Sequence, residues 1–298
     1  MAAGHRSMVH PVLHQIEWTR RTPTDAFAPG GLPVVSTEND ASINIMRLLA
    51  GLVDRLLFPV EDLPKGAHVV QLACGTGELS LALARRRSDL WITAIDIDPT
   101  VLDTGRATAA EESLPVEFQA MSMARLDFSD GSVDAVISRM GMFLPGTAPF
   151  DVVAREAGRV LRPGGSLSIA TWSDLAGSPY TRIGLAVLRR ILPEGAVPDL
   201  DVVFAESARP GAFEEHLTNA DFRDVEAESF RWDTEYPGFE AWWEFDTGFG
   251  ALKPLFTSLE DHQRAAARQE MADMMAEHRT ESGGYRLPAT ARVITARR

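Results

Sequence analysis

Apolar residues recur at helical spacing through Ile45, Leu48, Leu49, Leu52, Val53 and Leu56, and Pro59 supplies a stop. From residue 68 the pattern changes. Short, mostly apolar runs at His68–Ala73, Trp91–Asp96, Val116–Met121, Val133–Ser138 and Ser166–Trp172 read as strands. Helix-periodic stretches separate several of them, at Glu78–Arg87, Pro99–Glu112 and Pro149–Leu161. Strands without a polar face, alternating with helices, predict a parallel sheet with helices on both faces. Fold class is therefore α/β.

After Trp172 the rhythm shifts. A helical segment at Thr181–Leu192 ends at Pro193, and a Pro/Asp/Gly-containing stretch runs to about Gly211. A short helix, Phe213–Ala220, leads to a strand-like run, Val225–Trp232. Residues 237–282 are aromatic at first and then strongly helical over Glu260–Arg279, and Ala291–Ala296 reads as a last strand. Two strands separated by a helical excursion predict a final sheet edge with an inserted lid. The expected organisation is an N-terminal helical cover over 1–60 and a Rossmann-like core over 61–175. The remaining 176–298 would complete the sheet and carry a lid at about 237–282.

Composition narrows the function. The chain has 298 residues, 42 Asp+Glu against 29 Lys+Arg, a net charge of −13 and one cysteine. An acidic chain without a basic block is ill suited to gripping phosphate backbones, so no nucleic-acid partner is expected. No apolar run approaches the roughly 18–20 residues of a membrane span, and no secretion signal is visible at the N-terminus. One thiol excludes an intramolecular disulfide framework and a multi-thiolate metal site. The composition reads as a cytoplasmic enzyme acting on a small molecule.

The informative segment is Val69-Val70-Gln71-Leu72-Ala73-Cys74-Gly75-Thr76-Gly77-Glu78. An apolar strand runs into a glycine pair and a helix starts at once, where the backbone must turn tightly and approach a ligand closely. The next strand ends in Asp96, 19 residues after Gly77. An acid there can accept hydrogen bonds from both ribose hydroxyls, which indicates a nucleoside-containing cofactor. A dinucleotide site needs a third glycine, and the chain has Ser80. Glu78 also stands where a pyrophosphate would need room and positive potential. A ligand without phosphates, or with a positive centre, suits this turn better than a nicotinamide dinucleotide.

With these motifs the chain resembles the class I S-adenosylmethionine-dependent methyltransferases that modify small molecules and natural products. The resemblance is close over about 42–172. It rests on Gln71–Gly77, Ala94-Ile95-Asp96-Ile97-Asp98-Pro99, the run Phe128–Ser138 and Leu161-Arg162-Pro163-Gly164-Gly165. It implies a seven-stranded sheet of order 3-2-1-4-5-7-6 with the last strand antiparallel, and S-adenosylmethionine as cofactor. By position, Ala73, Cys74, Gly75 and Gly77 would hold the methionine part, with Gln71 near its amino group. Asp96 would clamp the ribose and Ile97 pack on the adenine. Ser122 and Met123 would border the adenine edge, while Ser138, Arg139 and Met140 would line the reactive end. Members of the family usually carry an acid at Gln71, a glycine at Ala73 and often an acid at Ser122. The implied reaction is methyl transfer to O, N or C of a small hydrophobic acceptor. A non-methylating cyclisation or rearrangement on the same fold is the alternative.

Other residues have two readings each. Cys74 is a small residue buried against the cofactor or, with no base in view, a weak nucleophile candidate. His14, with His10 and His5, reads as solvated surface, as a substrate-facing base or as a metal ligand lacking a completed set, and no metal site is expected. Tyr180 and Trp172 follow the fifth strand at the sheet edge where substrates bind, Tyr180 with His14 as a catalytic candidate. The aromatic patch containing Trp242 and Trp243 is a lid core or a substrate wall. Glu240, Glu244 and Asp246, interleaved with it, would favour a cationic or amine acceptor. The oligomeric state is left open, a homodimer included.

Overall fold

The computed structural model describes residues 52–142, 148–172, 179–197, 209–248 and 252–298, apart from the side chains of Tyr180 and Thr181. The described chain starts in a helix, α1, over 52–61. Five strands follow: β1 (His68–Leu72), β2 (Trp91–Asp96), β3 (Val116–Ala120), β4 (Val133–Arg139) and β5 (Leu161–Trp172). Helices α2 (Glu78–Arg86), α3 (Pro99–Glu111) and α4 (Phe150–Val160) connect them. Then come α5 (Pro179–Ile191), α6 (Ala212–Asn219) and β6 (Arg223–Tyr236). The lid helices α7 (Phe239–Gly248), α8 (Lys253–Ser258) and α9 (Asp261–Met275) precede β7 (Tyr285–Arg297).

The strands form one seven-stranded sheet of order β3-β2-β1-β4-β5-β7-β6. β1 to β5 pair in parallel, and β7 runs antiparallel between β5 and β6. This is the expected order. Every residue of β1 is buried because helices cover both faces of the sheet. The period of two sorts its side chains: Val69 joins the core under α1, α2, α5 and the lid, while Val70 and Leu72 join the core under α4 and α6. Local chemistry sets the helix starts. Asp98 accepts from Thr100 N at 2.9 Å with Pro99 at the first helical position of α3, and Glu260 and Gln263 form a capping box on α9.

β6 and β7 run longer than the apolar pattern predicts, pairing from Arg223–Arg297 to Tyr236–Tyr285. β6 alternates charged residues outward, so half of it carries no hydrophobic signal. Pro288 lies within β7, but β5 pairs only with Ala291–Arg297. Among the described residues, 286–290 therefore have a strand on one side only, where proline is tolerated.

Candidate functional site

The glycine turn is tied to the tips of β1 and β2 by a closed set of hydrogen bonds. Cys74 N donates to Ile95 O at 2.8 Å, Gly77 N to Cys74 O at 2.9 Å, and Gly75 N to Asp96 Oδ2 at 2.8 Å. Gly77 has φ +82°, and a Cβ there would stand 2.3 Å from Phe118 Cε1. Only glycine fits, for backbone and packing reasons together. Strain gathers at this edge: Ala73 (φ 47°) and Met140 (φ 59°) adopt left-handed backbone at the ends of β1 and β4. Gly141 packs directly on Ala73, whose Cβ would be 2.3 Å from a Cβ added at 141. Left-handed non-glycine residues cost about 1–3 kcal/mol each and concentrate at binding sites.

Asp96 accepts from Gly75 N through one oxygen and from Asp98 N, at 3.1 Å, through the other. It is thus a turn-capping acid, and a carboxylate with two more lone pairs can still receive hydroxyls. Ile97, the next residue, is 76% exposed, an apolar surface left open beside that acid. Ser122 turns its Oγ to Ala124 N at 3.2 Å, and Met123 is buried against the adjoining core.

Several residues assigned to the ligand are engaged inside the protein. Gln71 is buried, and its Oε1 accepts from Ser80 N at 2.9 Å and Ser80 Oγ at 2.6 Å. The amide oxygen read as a partner for the cofactor's amino group instead anchors the first turn of α2. Ser80, standing where a dinucleotide site needs glycine, is that anchor's other half. Ser138 Oγ donates to Leu72 O at 3.0 Å, stapling β4 to β1. Arg139 is nearly buried and meets Glu78 at 3.3 Å, while Thr76 Oγ1 donates to the other Glu78 oxygen. The negative charge read at the turn is therefore answered by a guanidinium. Burial lowers the Arg139 pKa and Glu78 opposes this. The Cys74 thiol is pushed up by burial, with Asp96 adding to it, and donates to Gly75 O at 3.3 Å. It is a packed thiol and no nucleophile.

Under the lid, Trp242 is fully buried and Trp243 nearly so, in the same core as Met140 and the partly buried Trp172. Trp243 meets Phe256 edge-on at 5.9 Å. The aromatic patch thus packs into the core that the lid shares with the sheet. Of the three acids there, Glu240 turns outward to Arg268 and Glu244 is exposed, while Asp246 is buried. Burial raises the Asp246 carboxyl well above its ordinary value. Helical periodicity could not single it out, because its neighbours in space belong to α5 and α8. His14 and the Tyr180 side chain lie outside the described residues. Among the described residues no cluster of His, Cys, Asp and Glu could hold a metal ion.

The residues at the strand tips fit a nucleoside ligand: a glycine turn without a Cβ barrier, an acid with spare acceptor capacity and an open apolar face. Residues 69–165 match the family model described as a methyltransferase domain. An uncharacterised Mycobacterium tuberculosis protein is 31% identical over 119 residues, 40% of this chain and 42% of that one. A ubiquinone biosynthesis O-methyltransferase of Xanthomonas campestris is 33% identical over 132 residues, 44% of this chain and 54% of that one. The chain thus spans about half the length of these relatives. In fold it is similar to the YcgJ protein of Bacillus subtilis, with a TM-score of 0.54 at 15% identity over 83% of this chain and 97% of that one. Motif, family model and sheet order agree: over residues 69–165 the chain is similar to a methyltransferase domain, set in a sheet of the order expected from that resemblance.

Proposed function

We propose that the protein binds S-adenosylmethionine at the tips of β1, β2 and β4 and transfers its methyl group to a small hydrophobic acceptor. The observation that carries this reading is the edge itself. Asp96, holding the Gly75 turn with one oxygen and keeping acceptor capacity, stands next to the 76% exposed Ile97. The ribose hydroxyls would go to Asp96 and the adenine to Ile97, with the Gly75–Gly77 backbone along the amino-acid part. Arg139, released from Glu78 or shared with it, would meet that part's carboxylate.

The cofactor, when bound, supplies an activated methyl on a sulfonium. The task left to the protein is alignment and exclusion of water. Met140, locked in left-handed backbone with its N–H on Ala170 O at 2.8 Å, sets the wall where β4 and β5 end. The lid core continues that wall in apolar material, which supports a hydrophobic acceptor. The net charge of −13 disfavours a nucleic-acid acceptor. No helix among the described residues is long and apolar enough to cross a membrane.

The test is titration calorimetry with S-adenosylmethionine, followed by a mass-spectrometric search for +14 Da products in hydrophobic metabolite pools. Saturable binding lost in Asp96→Ala, with one S-adenosylhomocysteine per product, supports the reading. Product without S-adenosylhomocysteine would replace it with a non-methylating rearrangement, and absence of binding would end it.

A further inference from the structure

Among the described residues, buried polar side chains lacking a hydrogen-bond partner are unevenly spread. Trp232 Nε1 and Thr234 Oγ1 on β6, and Trp242 Nε1 and Asp246 Oδ2 on α7, fall within fifteen residues of chain. The pairs are joined by the two-residue turn at 237–238, across which Tyr236 faces Phe245 with ring centroids 6.1 Å apart. Trp232 and Thr234, two residues apart on β6 and so on one face of the sheet, stand in register with Ala289 and Leu287 of β7. Native proteins rarely leave such groups unmet, and a concentration of them marks a place where something else completes the bonds.

Asp246 is the strongest member. Its Oδ2 lies 2.9 Å from where a Cβ at Gly184 on α5 would stand, with Leu252 Cδ1 and Phe256 Cε2 at 3.1 and 3.5 Å from the same point. The carboxyl is thus seated against a bare stretch of helix among apolar atoms, with no cation in contact among the described residues. Trp242 is four residues earlier on α7, so its indole and the carboxyl share a helix face. One group needs a donor from outside and the other needs an acceptor.

We propose that Asp246 and Trp242 are the polar anchor of the acceptor pocket, and that the acceptor is an apolar molecule bearing a hydroxyl. The hydroxyl donates to Asp246 Oδ2 and accepts from Trp242 Nε1–H. The proposal rests on the methyltransferase reading of the site for the word acceptor, and on the lid alone for the chemistry. An ammonium would satisfy Asp246 and leave the indole N–H facing another donor. A carboxylate or phosphate would be a charge buried with no guanidinium at hand among the described residues. A plain hydrocarbon would leave both groups unmet, which a buried site disfavours.

Three matched probes test this: 2-naphthol, 2-naphthylamine and 2-methylnaphthalene, titrated calorimetrically into the full chain. The wild type should bind the naphthol at least about tenfold more tightly than the methyl analogue, about 1.4 kcal/mol. Asp246→Leu and Trp242→Phe should each bring that ratio to within about twofold, with melting curves confirming the fold. Trp242→Phe carries the test if Asp246→Leu does not fold. Equal binding of naphthol and hydrocarbon, a preference for the amine, a ratio unchanged in the variants, or no saturable binding by any probe would overturn the proposal. A parallel titration with S-adenosylmethionine keeps the readings apart. Its failure would remove the methyltransferase reading while leaving the naphthol ratio interpretable.

Discussion

At the strand tips polar side chains answer one another: Gln71 to Ser80, Ser138 to the Leu72 carbonyl, Asp96 to Gly75 and Asp98, Arg139 to Glu78. Under the lid, Trp232, Thr234, Trp242 and Asp246 each keep a polar atom that nothing among the described residues meets. Gln71 and Ser138 are as buried as Trp242 and Asp246, so the difference lies in what completes their polar groups. The first is a closed network that holds a backbone shape before any ligand arrives, as a site for a constant ligand should be. The second carries unsatisfied groups in apolar surroundings, a stability cost that a ligand can remove.

The sharpest way to break the first half of this contrast is Gly77→Ala. The left-handed backbone and the contact with Phe118 together should cost about 2–4 kcal/mol, read by urea denaturation. A second change, Phe118→Leu, should return part of it. If Gly77→Ala is neutral, the turn is not the rigid element described here.

The second half is tested by pH. Burial raises the folded-state pKa of Asp246 above the ordinary 3.8. The folded state then binds the proton more tightly than the unfolded state. Its contribution is fully present below the unfolded value and lost as pH rises through the folded one. Relative to Asp246→Asn, the wild type should lose about 1.4 kcal/mol for each pH unit across that window. Parallel stability curves for the two proteins would show that Asp246 is not buried as described.

A smaller effect is expected from Gln71→Leu, which leaves Ser80 N–H and hydroxyl without their acceptor. A loss of about 1–3 kcal/mol, with weakened S-adenosylmethionine binding through a loosened α2, would confirm that Gln71 positions the turn from behind. Stability loss without any change in binding would confine it to the core. Smallest of all is Arg268→Gln on the outer face of the lid, where the guanidinium lies 5.5 Å from the Phe239 ring centroid and pairs with Glu240. An exposed pair of this kind should contribute less than about 1 kcal/mol, with probe binding unchanged. A larger effect would mean that the lid's outer face also shapes the pocket.

Much of the strand-tip edge proposed to hold the cofactor was legible because its signals are local in sequence. A strand, two glycines, a helix start and an acid 19 residues on occupy one continuous stretch. Parallel pairing follows from the helical crossovers, while the strand order is what the family resemblance implies. The lid was legible only as an insertion. Trp242 and Trp243 read equally as wall or core, and Glu240, Glu244 and Asp246 read alike as interleaved acids. Packing separated them, sending Glu240 and Glu244 to solvent and Asp246 against Gly184, Leu252 and Phe256.

What the sequence by itself determined is the architecture: apolar period and glycine placement specify strands, helices and the turn, because backbone sterics and burial act over a few residues. Only the tertiary structure decided which polar groups are spent and which are left. Gln71 and Ser80 are nine residues apart, Ser138 and Leu72 sixty-six, Asp246 and Gly184 sixty-two. A hydrogen bond depends on separation and angle in space, and those distances exist only once the sheet has closed and the lid has settled on it.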